Sequence, residues 1–218
     1  MSWRCHGNTN QELVANLQRS GILTSIAATH AMLQIDRAHF VPDGGSPYED
    51  SPQSIGHGVT ISAPHMHGYC LSLLADHLKP GMSVLDIGSG SGYLAAIFSL
   101  MVGENGRSVG IELIPQLAEK SIESIRRGPA SKLLESGQLA IHVADGKMGF
   151  ADAGPYDAIH VGAAAAELPK PLLDQLKPGG RMVIPVGTGF QDLVVIDKLL
   201  DGSIKKHVEM NVRYVPLI

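Results

Sequence analysis

Val84-Leu85-Asp86-Ile87 runs straight into Gly88-Ser89-Gly90-Ser91-Gly92, an apolar strand pattern followed by glycines at three alternate positions and then a helix-forming run. Small residues there let the backbone turn tightly and let a ligand approach the main chain. A dinucleotide fingerprint, G-x-G-x-x-G, needs its third glycine at position 93. That position holds Tyr93, and the glycine stands one place earlier, giving G-x-G-x-G. This pattern is associated with enzymes that use S-adenosylmethionine (AdoMet), a cofactor without a pyrophosphate. The spacing favours AdoMet over a nicotinamide dinucleotide, with a dehydrogenase as the alternative.

Two acids follow the next two strand-like runs. Glu112 ends Ser108-Val109-Gly110-Ile111, where a carboxylate can accept from both ribose hydroxyls. Asp145-Gly146 follows Leu139 to Val143; the Asp can accept from an adenine amine, and the Gly lets the chain pass close to the ring. The other readings are a surface acid at a helix start for Glu112 and a plain turn for Asp145-Gly146. Asp86 ends the first strand, placed either to order the amides of the glycine loop or to attract a cofactor amino group.

Elsewhere the reactive side chains are sparser. His57, His65 and His67 lack the Cys or carboxylate partners of a metal site, so no metal is expected. Ser62 has no G-x-S-x-G elbow, which argues against a nucleophilic serine. Taken alone, Ser62 reads as a turn serine. His65, after Pro64, reads as a helix-start histidine or as a hydrogen-bond donor with its second nitrogen held. Cys70 lies at the edge of an apolar helix and is expected to be packed.

The elements that position these groups follow a βα rhythm. Strands are expected at 83–87, 107–111, 139–143, 158–161 and 181–186, with helices at 94–101, 115–127 and 168–176 between them. Such alternation implies right-handed crossovers and a mostly parallel sheet. Residues 193–199 and 204–215, joined by the turn Asp201-Gly202, read as an added hairpin, so the sheet is mixed and seven-stranded. Before the glycine loop, helices are expected at 11–19, 25–35 and 67–78. The second of these should bury Ile26, Met32, Leu33 and Ile35. Residues 42–64, rich in Pro and Gly, read as an ordered loop tacked down by Tyr48, Ile55, Val59 and Ile61. The fold class is thus α/β, doubly wound, in a single domain over 1–218, with region 8–78 contributing to substrate binding.

The chain has 218 residues, with 17 basic and 21 acidic side chains and a formal net charge of -4. That balance argues against a nucleic-acid partner, whose phosphates call for a basic surface. Cys5 and Cys70 are too few for a disulfide framework. No apolar run approaches membrane-spanning length, and residues 1–10 lack a signal peptide's apolar stretch, so a cytosolic protein without membrane contact is expected.

Asp50-Ser51-Pro52-Gln53-Ser54-Ile55-Gly56 and Thr60-Ile61-Ser62-Ala63-Pro64-His65-Met66-His67 resemble the protein-L-isoaspartate(D-aspartate) O-methyltransferase family. So do the glycine loop, Gly110-Ile111-Glu112, Pro155 to Ala164, Asp174 to Arg181 and Tyr214-Val215-Pro216-Leu217. The Thr60 to His67 block is the most specific of these. The resemblance implies a Rossmann-like fold of the AdoMet-dependent type and methyl transfer to the α-carboxylate of L-isoaspartyl, and some D-aspartyl, residues in damaged proteins. The ester then closes to a succinimide, S-adenosylhomocysteine (AdoHcy) is the co-product, and the enzyme is a cytosolic monomer. Cofactor contacts are expected from Asp86, Gly88, Ser89, Gly90, Ser91, Gly92, Glu112, Asp145 and Gly146. Ser62 is implied as the catalytic contact to the accepting carboxylate, with His65, Ile55, Val212, Arg213 and Tyr214 also touching substrate. Val212 to Val215 would offer backbone groups to an extended peptide, or be a plain hairpin edge. Lys147 departs from the Arg expected after Asp-Gly, and Gly187 to Gln191 is a short loop. A small-molecule methyltransferase and a noncatalytic protein of the same fold are the alternative functions.

Overall fold

The computed structural model describes residues 5–218; residues 1–4, part of the 1–10 stretch read above for a signal peptide, lie outside them. Helix α1 (Asn10–Arg19) opens on Thr9, whose side chain accepts from the Glu12 amide, and it buries Leu13, Val14 and Leu17. Helix α2 (Ile26–Gln34) starts at Ser25, which accepts from the Ala28 amide. Its inner stripe is Ala28, Ala31, Met32 and Ile35, spaced for one helix face. Ile26 and Leu33, both expected inside, are seven residues apart on the outward face and are 73% and 39% exposed.

The 42–64 loop holds a hairpin that its composition did not suggest, β1 (Gln53–Gly56) and β2 (Val59–Ile61). The turn uses positive φ at Gly56, His57 and Gly58. Helix α3 (Pro64–Leu74) follows within three residues, with Pro64 in its first turn. It starts and ends earlier than the pattern 67–78 suggested, and a 3₁₀ turn, Ala75–His77, finishes that segment.

The remaining elements are β3 (Ser83–Ile87), α4 (Tyr93–Val102), β4 (Arg107–Glu112), α5 (Pro115–Arg126), α6 (Ser131–Glu135), β5 (Leu139–Val143), β6 (Tyr156–Val161), α7 (Lys170–Gln175), β7 (Leu176–Val186), β8 (Gln191–Lys198) and β9 (Ile204–Val212). The seven-stranded sheet has the order β5-β4-β3-β6-β7-β8-β9. Strands β5, β4, β3, β6 and β7 pair in parallel, while β8 and β9 are antiparallel additions. Strand β3 is the switch point, since the chain moves outward from it first through β4 and then through β6. Ligands of such sheets bind outside the carboxyl ends of the strands at that point.

Alternation along β3 and β6 sends Leu85, Ile87, Ile159 and Val161 to one core layer and Val84 and Ala158 to the other. It also turns Asp86 and His160, which lie opposite each other in register, to the side of α3 and α4.

Candidate active site

The carboxyl ends of β3, β4 and β6 and the loop after β5 enclose a cleft of about 240 Å³ lined by Gly88, Glu112, Ile114, Gly146, Gly162 and Leu217, among others. Gly88 takes φ +65, a left-handed conformation that favours glycine. Gly146 is buried so tightly that an added Cβ would stand 2.5 Å from Ile87. Glu112 is only 6% exposed, which rules out the surface-acid reading. One of its oxygens accepts from the Gly90 amide at 2.9 Å and the other from the Ile114 amide at 3.0 Å. Each carboxylate oxygen keeps a further lone pair, so a pair of hydroxyls in the cleft can be received.

A second cleft, about 750 Å³, lies on the other side of the segment that follows β2. Ser62, His65 and Tyr69 form one wall, and Val212, Arg213 and Tyr214 the other. Asp50 builds the first wall: one of its oxygens accepts the His65 amide at 3.0 Å and meets His65 Nδ1 at 2.8 Å. Its other oxygen accepts the Cys5 amide at 3.0 Å. Burial pushes the Asp50 carboxyl up, but His65 and these amides outweigh it and lower it. The ionised carboxylate thus fixes the His65 ring by Nδ1. Gln191 builds the second wall, accepting the Tyr214 amide at 2.6 Å and donating to the Tyr214 carbonyl at 3.1 Å. Tyr69 spans to that side, its hydroxyl donating to Glu209.

Thr60, Gly162 and Val215 line both clefts, and Ser62 also lines a small pocket between them with Asp86, Gly88 and Ser89. Two buried groups there lack partners, the Ser89 hydroxyl and the Tyr93 hydroxyl. Beneath them His160 Nδ1 meets Asp86 at 2.8 Å. Burial opposes a charge on His160, but Asp86 and Cys70 outweigh it and raise the imidazole to about 10. Burial, with Cys70, also holds the Tyr214 phenol well above its usual range, while Ser62 facing it acts the other way. Tyr214 therefore keeps its proton at neutral pH and can donate a hydrogen bond.

Of the residues expected at the site, the structure brings Ser62, His65, Val212, Arg213 and Tyr214 onto one cleft and Gly88, Glu112 and Gly146 onto the other. Ser89, Gly90 and Ser91 edge the pocket between. Ile55 is not on the substrate cleft; it is buried beneath Gly90, where an added Cβ would stand 3.3 Å from its Cδ1. Gly92 does not line either cleft: it sits against α5, and an added Cβ would stand 2.9 Å from that of Ser121. Asp145 is exposed beside the cleft, accepting from the Lys147 amide at 2.9 Å. Asp86 pairs with His160 rather than with the glycine-loop amides. Asp50, Gln191 and His160 are the contributors that sequence reasoning missed. Asp50 and His160 had a signal, their places in the Asp50 to Gly56 and Pro155 to Ala164 blocks; Gln191 had none.

A family model described as Protein-L-isoaspartate(D-aspartate) O-methyltransferase (PCMT) matches residues 8–218. The chain is 59% identical over 210 residues to protein-L-isoaspartate O-methyltransferase 1 of Arabidopsis thaliana, covering 96% of this chain and 91% of that one. It is 49% identical over 219 residues to the Caenorhabditis elegans protein-L-isoaspartate O-methyltransferase, covering 100% and 96%. Among solved structures, one described as a Plasmodium falciparum protein-L-isoaspartate O-methyltransferase in complex with S-adenosyl-L-homocysteine superposes with a TM-score of 0.89. Its identity is 36%, and the match covers 97% of this chain and 99% of that one. With its glycine loop, its buried strand-end acid and its Ser62 wall all inside the matched span, the chain belongs to the protein-L-isoaspartate(D-aspartate) O-methyltransferase family.

Proposed function

We propose that this chain is a protein-repair methyltransferase that moves a methyl group from AdoMet to the free α-carboxylate of L-isoaspartyl residues, and of some D-aspartyl residues, in damaged proteins. The observation that carries this reading is the shared wall: a cleft with a ribose-ready carboxylate and a larger, strand-edged cleft meet at Thr60, Gly162 and Val215, with Ser62 on the larger cleft and on the small pocket between them. The names of the relatives and the AdoHcy in the Plasmodium structure support it.

AdoMet, when bound, supplies a methyl already activated by its sulfonium. Glu112 would hold the ribose, and Gly146 would leave room beside the adenine. The acceptor carboxylate is ionised at neutral pH, so no strong base is needed. What the chain must supply is alignment and a site poor in water. The Ser62 hydroxyl donates to one carboxylate oxygen and leaves the other free to attack. Tyr214, kept protonated, stands behind Ser62 as a further donor. His65, held at Nδ1, presents Nε2 to the same cleft. The isoaspartyl linkage lengthens the backbone by one methylene, so recognition must read main-chain geometry. The segment from Met210 to Val215, beside the open edge of β9, offers backbone groups for that purpose. Flexible or unfolded segments are the expected substrates, and a cytosolic monomer is the expected form.

Labelled AdoMet with two peptides that differ only in an isoaspartyl or aspartyl linkage tests the reading. Label is expected in the isoaspartyl peptide alone. Equal labelling of both, or of neither, overturns it.

A further inference from the structure

Arg37 has no exposed surface. It begins the 3₁₀ turn after α2, and Asp36 caps that turn by accepting from the Ala38 amide. Its guanidinium donates to the Ser62 carbonyl at 2.7 Å and, through the other terminal nitrogen, to His67 Nδ1 at 3.1 Å. It also lies over the Tyr93 ring, 5.5 Å from the centroid. Its Nε has no partner, and among the described residues no carboxylate forms an ion pair with it. Burial lowers the guanidinium to about 10, against smaller upward pulls from Tyr93 and Asp50, so it is still a cation at neutral pH.

A buried cation with an orphaned nitrogen is an expensive way to fill space. An apolar side chain of similar volume would pack without desolvating a charge. What it could not do is grip a carbonyl and an imidazole in one plane while lying on an aromatic face. The three groups gripped belong to different parts of the site. Ser62 is on the substrate wall, His67 is in the first turns of α3, and Tyr93 is the first residue of α4 after the glycine loop. His67 must accept at Nδ1, because a guanidinium can only donate. Burial and the Arg37 charge keep it neutral, so its proton is on Nε2. Its ring in turn lies 5.1 Å from that of Tyr93.

We propose that Arg37 is a positioning residue for methyl transfer, a rigid fork that fixes the Ser62 segment at a constant distance from the cofactor loop while touching neither reacting group. The proposal rests on the methyltransferase reading given above. It accounts for a buried charge with no ion-paired carboxylate among the described residues, and for a planar fork where a flexible ammonium would reach only one partner.

Arg37→Lys separates positioning from folding. At saturating AdoMet and isoaspartyl peptide, kcat is expected to fall at least tenfold, while the AdoHcy Kd changes less than threefold. A kcat within twofold of the parent overturns the proposal, and so does an equal loss of AdoHcy affinity. Should Arg37→Lys not fold, His67→Leu keeps the guanidinium and removes one of its acceptors. A fivefold or larger fall in kcat is then expected, again with AdoHcy affinity kept, and an unchanged kcat overturns the idea. Hydrogen exchange over Thr60 to Ala63 gives a readout independent of turnover. Faster exchange is expected in either variant, and exchange equal to the parent's counts against the fork. A parent protein inactive on isoaspartyl peptides would refute the substrate reading, while the exchange result would still decide the role of Arg37.

Discussion

At the scale of single residues, the two acids that close β3 and β4 have opposite jobs. Glu112 spends one lone pair of each oxygen on a backbone amide and faces the smaller cleft, whereas Asp86, on the pocket between the clefts, holds His160 on the α4 side of the sheet. Replacing Glu112 by Ala strips two amides of their acceptor and removes the carboxylate proposed above to hold the ribose. Hydrogen bonds to a charged group contribute roughly 1.5–3 kcal/mol each. An AdoHcy Kd raised by roughly ten- to a hundredfold is expected by calorimetry on that scale. Ser62→Ala should do the reverse, cutting kcat by a similar factor and leaving the AdoHcy Kd nearly unchanged. Identical profiles for the two variants would dissolve the division of roles. The His160–Asp86 pair gives a pH signature. With the folded imidazole raised to about 10 from 6.5, its stabilisation is complete below pH 6.5 and is lost as pH rises through 10. The Tm should therefore drop between pH 7 and 10, and His160→Asn should flatten that drop; parallel curves would exclude the pair as the cause. Glu112 was readable because a lone acid after a continuous apolar strand has few other uses. His160 was not, because its partner is distant in sequence and only strand register brings the two together.

At the scale of elements, the glycine loop is shaped as much by helix packing as by the ligand. Gly92 begins α4 at φ +79, and an added Cβ would stand 2.9 Å from Ser121 Cβ and 3.1 Å from Ile125 Cδ1 on α5. Gly92→Ala combines left-handed strain of roughly 1–2 kcal/mol with an overlap against α5. A Tm lowered by several degrees is expected, by calorimetric scanning, together with weakened AdoHcy binding; an unchanged Tm would mean that α5 yields freely. The βα alternation from β3 to β7 was legible because each buried strand is a short apolar run bounded by turn residues. The hairpin β1–β2 was hidden, since its three-residue β2 and its Gly-His-Gly turn look like loop chemistry until pairing is seen. Of the four residues expected inside α2, Met32 and Ile35 are buried and Ile26 and Leu33 are not. Its small Ala28 and Ala31 pack inward against neighbours, while the larger Ile26 and Leu33 are left outside.

At the scale of the whole molecule, the sheet ends on β9, an open strand whose far edge has no partner among the described residues. Such an edge is a template for pairing with a second copy unless something blunts it. Here the first half of β9 carries Lys205, Lys206 and His207, all exposed, and its second half borders the large cleft through Met210 to Val212. The charges blunt the first half of the edge, and the second half, beside the cleft, is left to the peptide contact proposed above. The cost of that arrangement is a marginally guarded edge, which makes the oligomeric state sensitive to two side chains. The parent chain should elute with light scattering at the monomer mass of 23.1 kDa. Lys205→Val with Lys206→Val removes two charges and adds strand-favouring side chains, so concentration-dependent dimers or larger species are expected. The isoaspartyl-peptide KM should rise in step with their formation, because pairing along β9 competes for the same edge. A double variant that stays monomeric at high concentration would show that the twist of the edge, rather than its charge, keeps copies apart. Self-association without a change in KM would move the peptide away from β9 altogether.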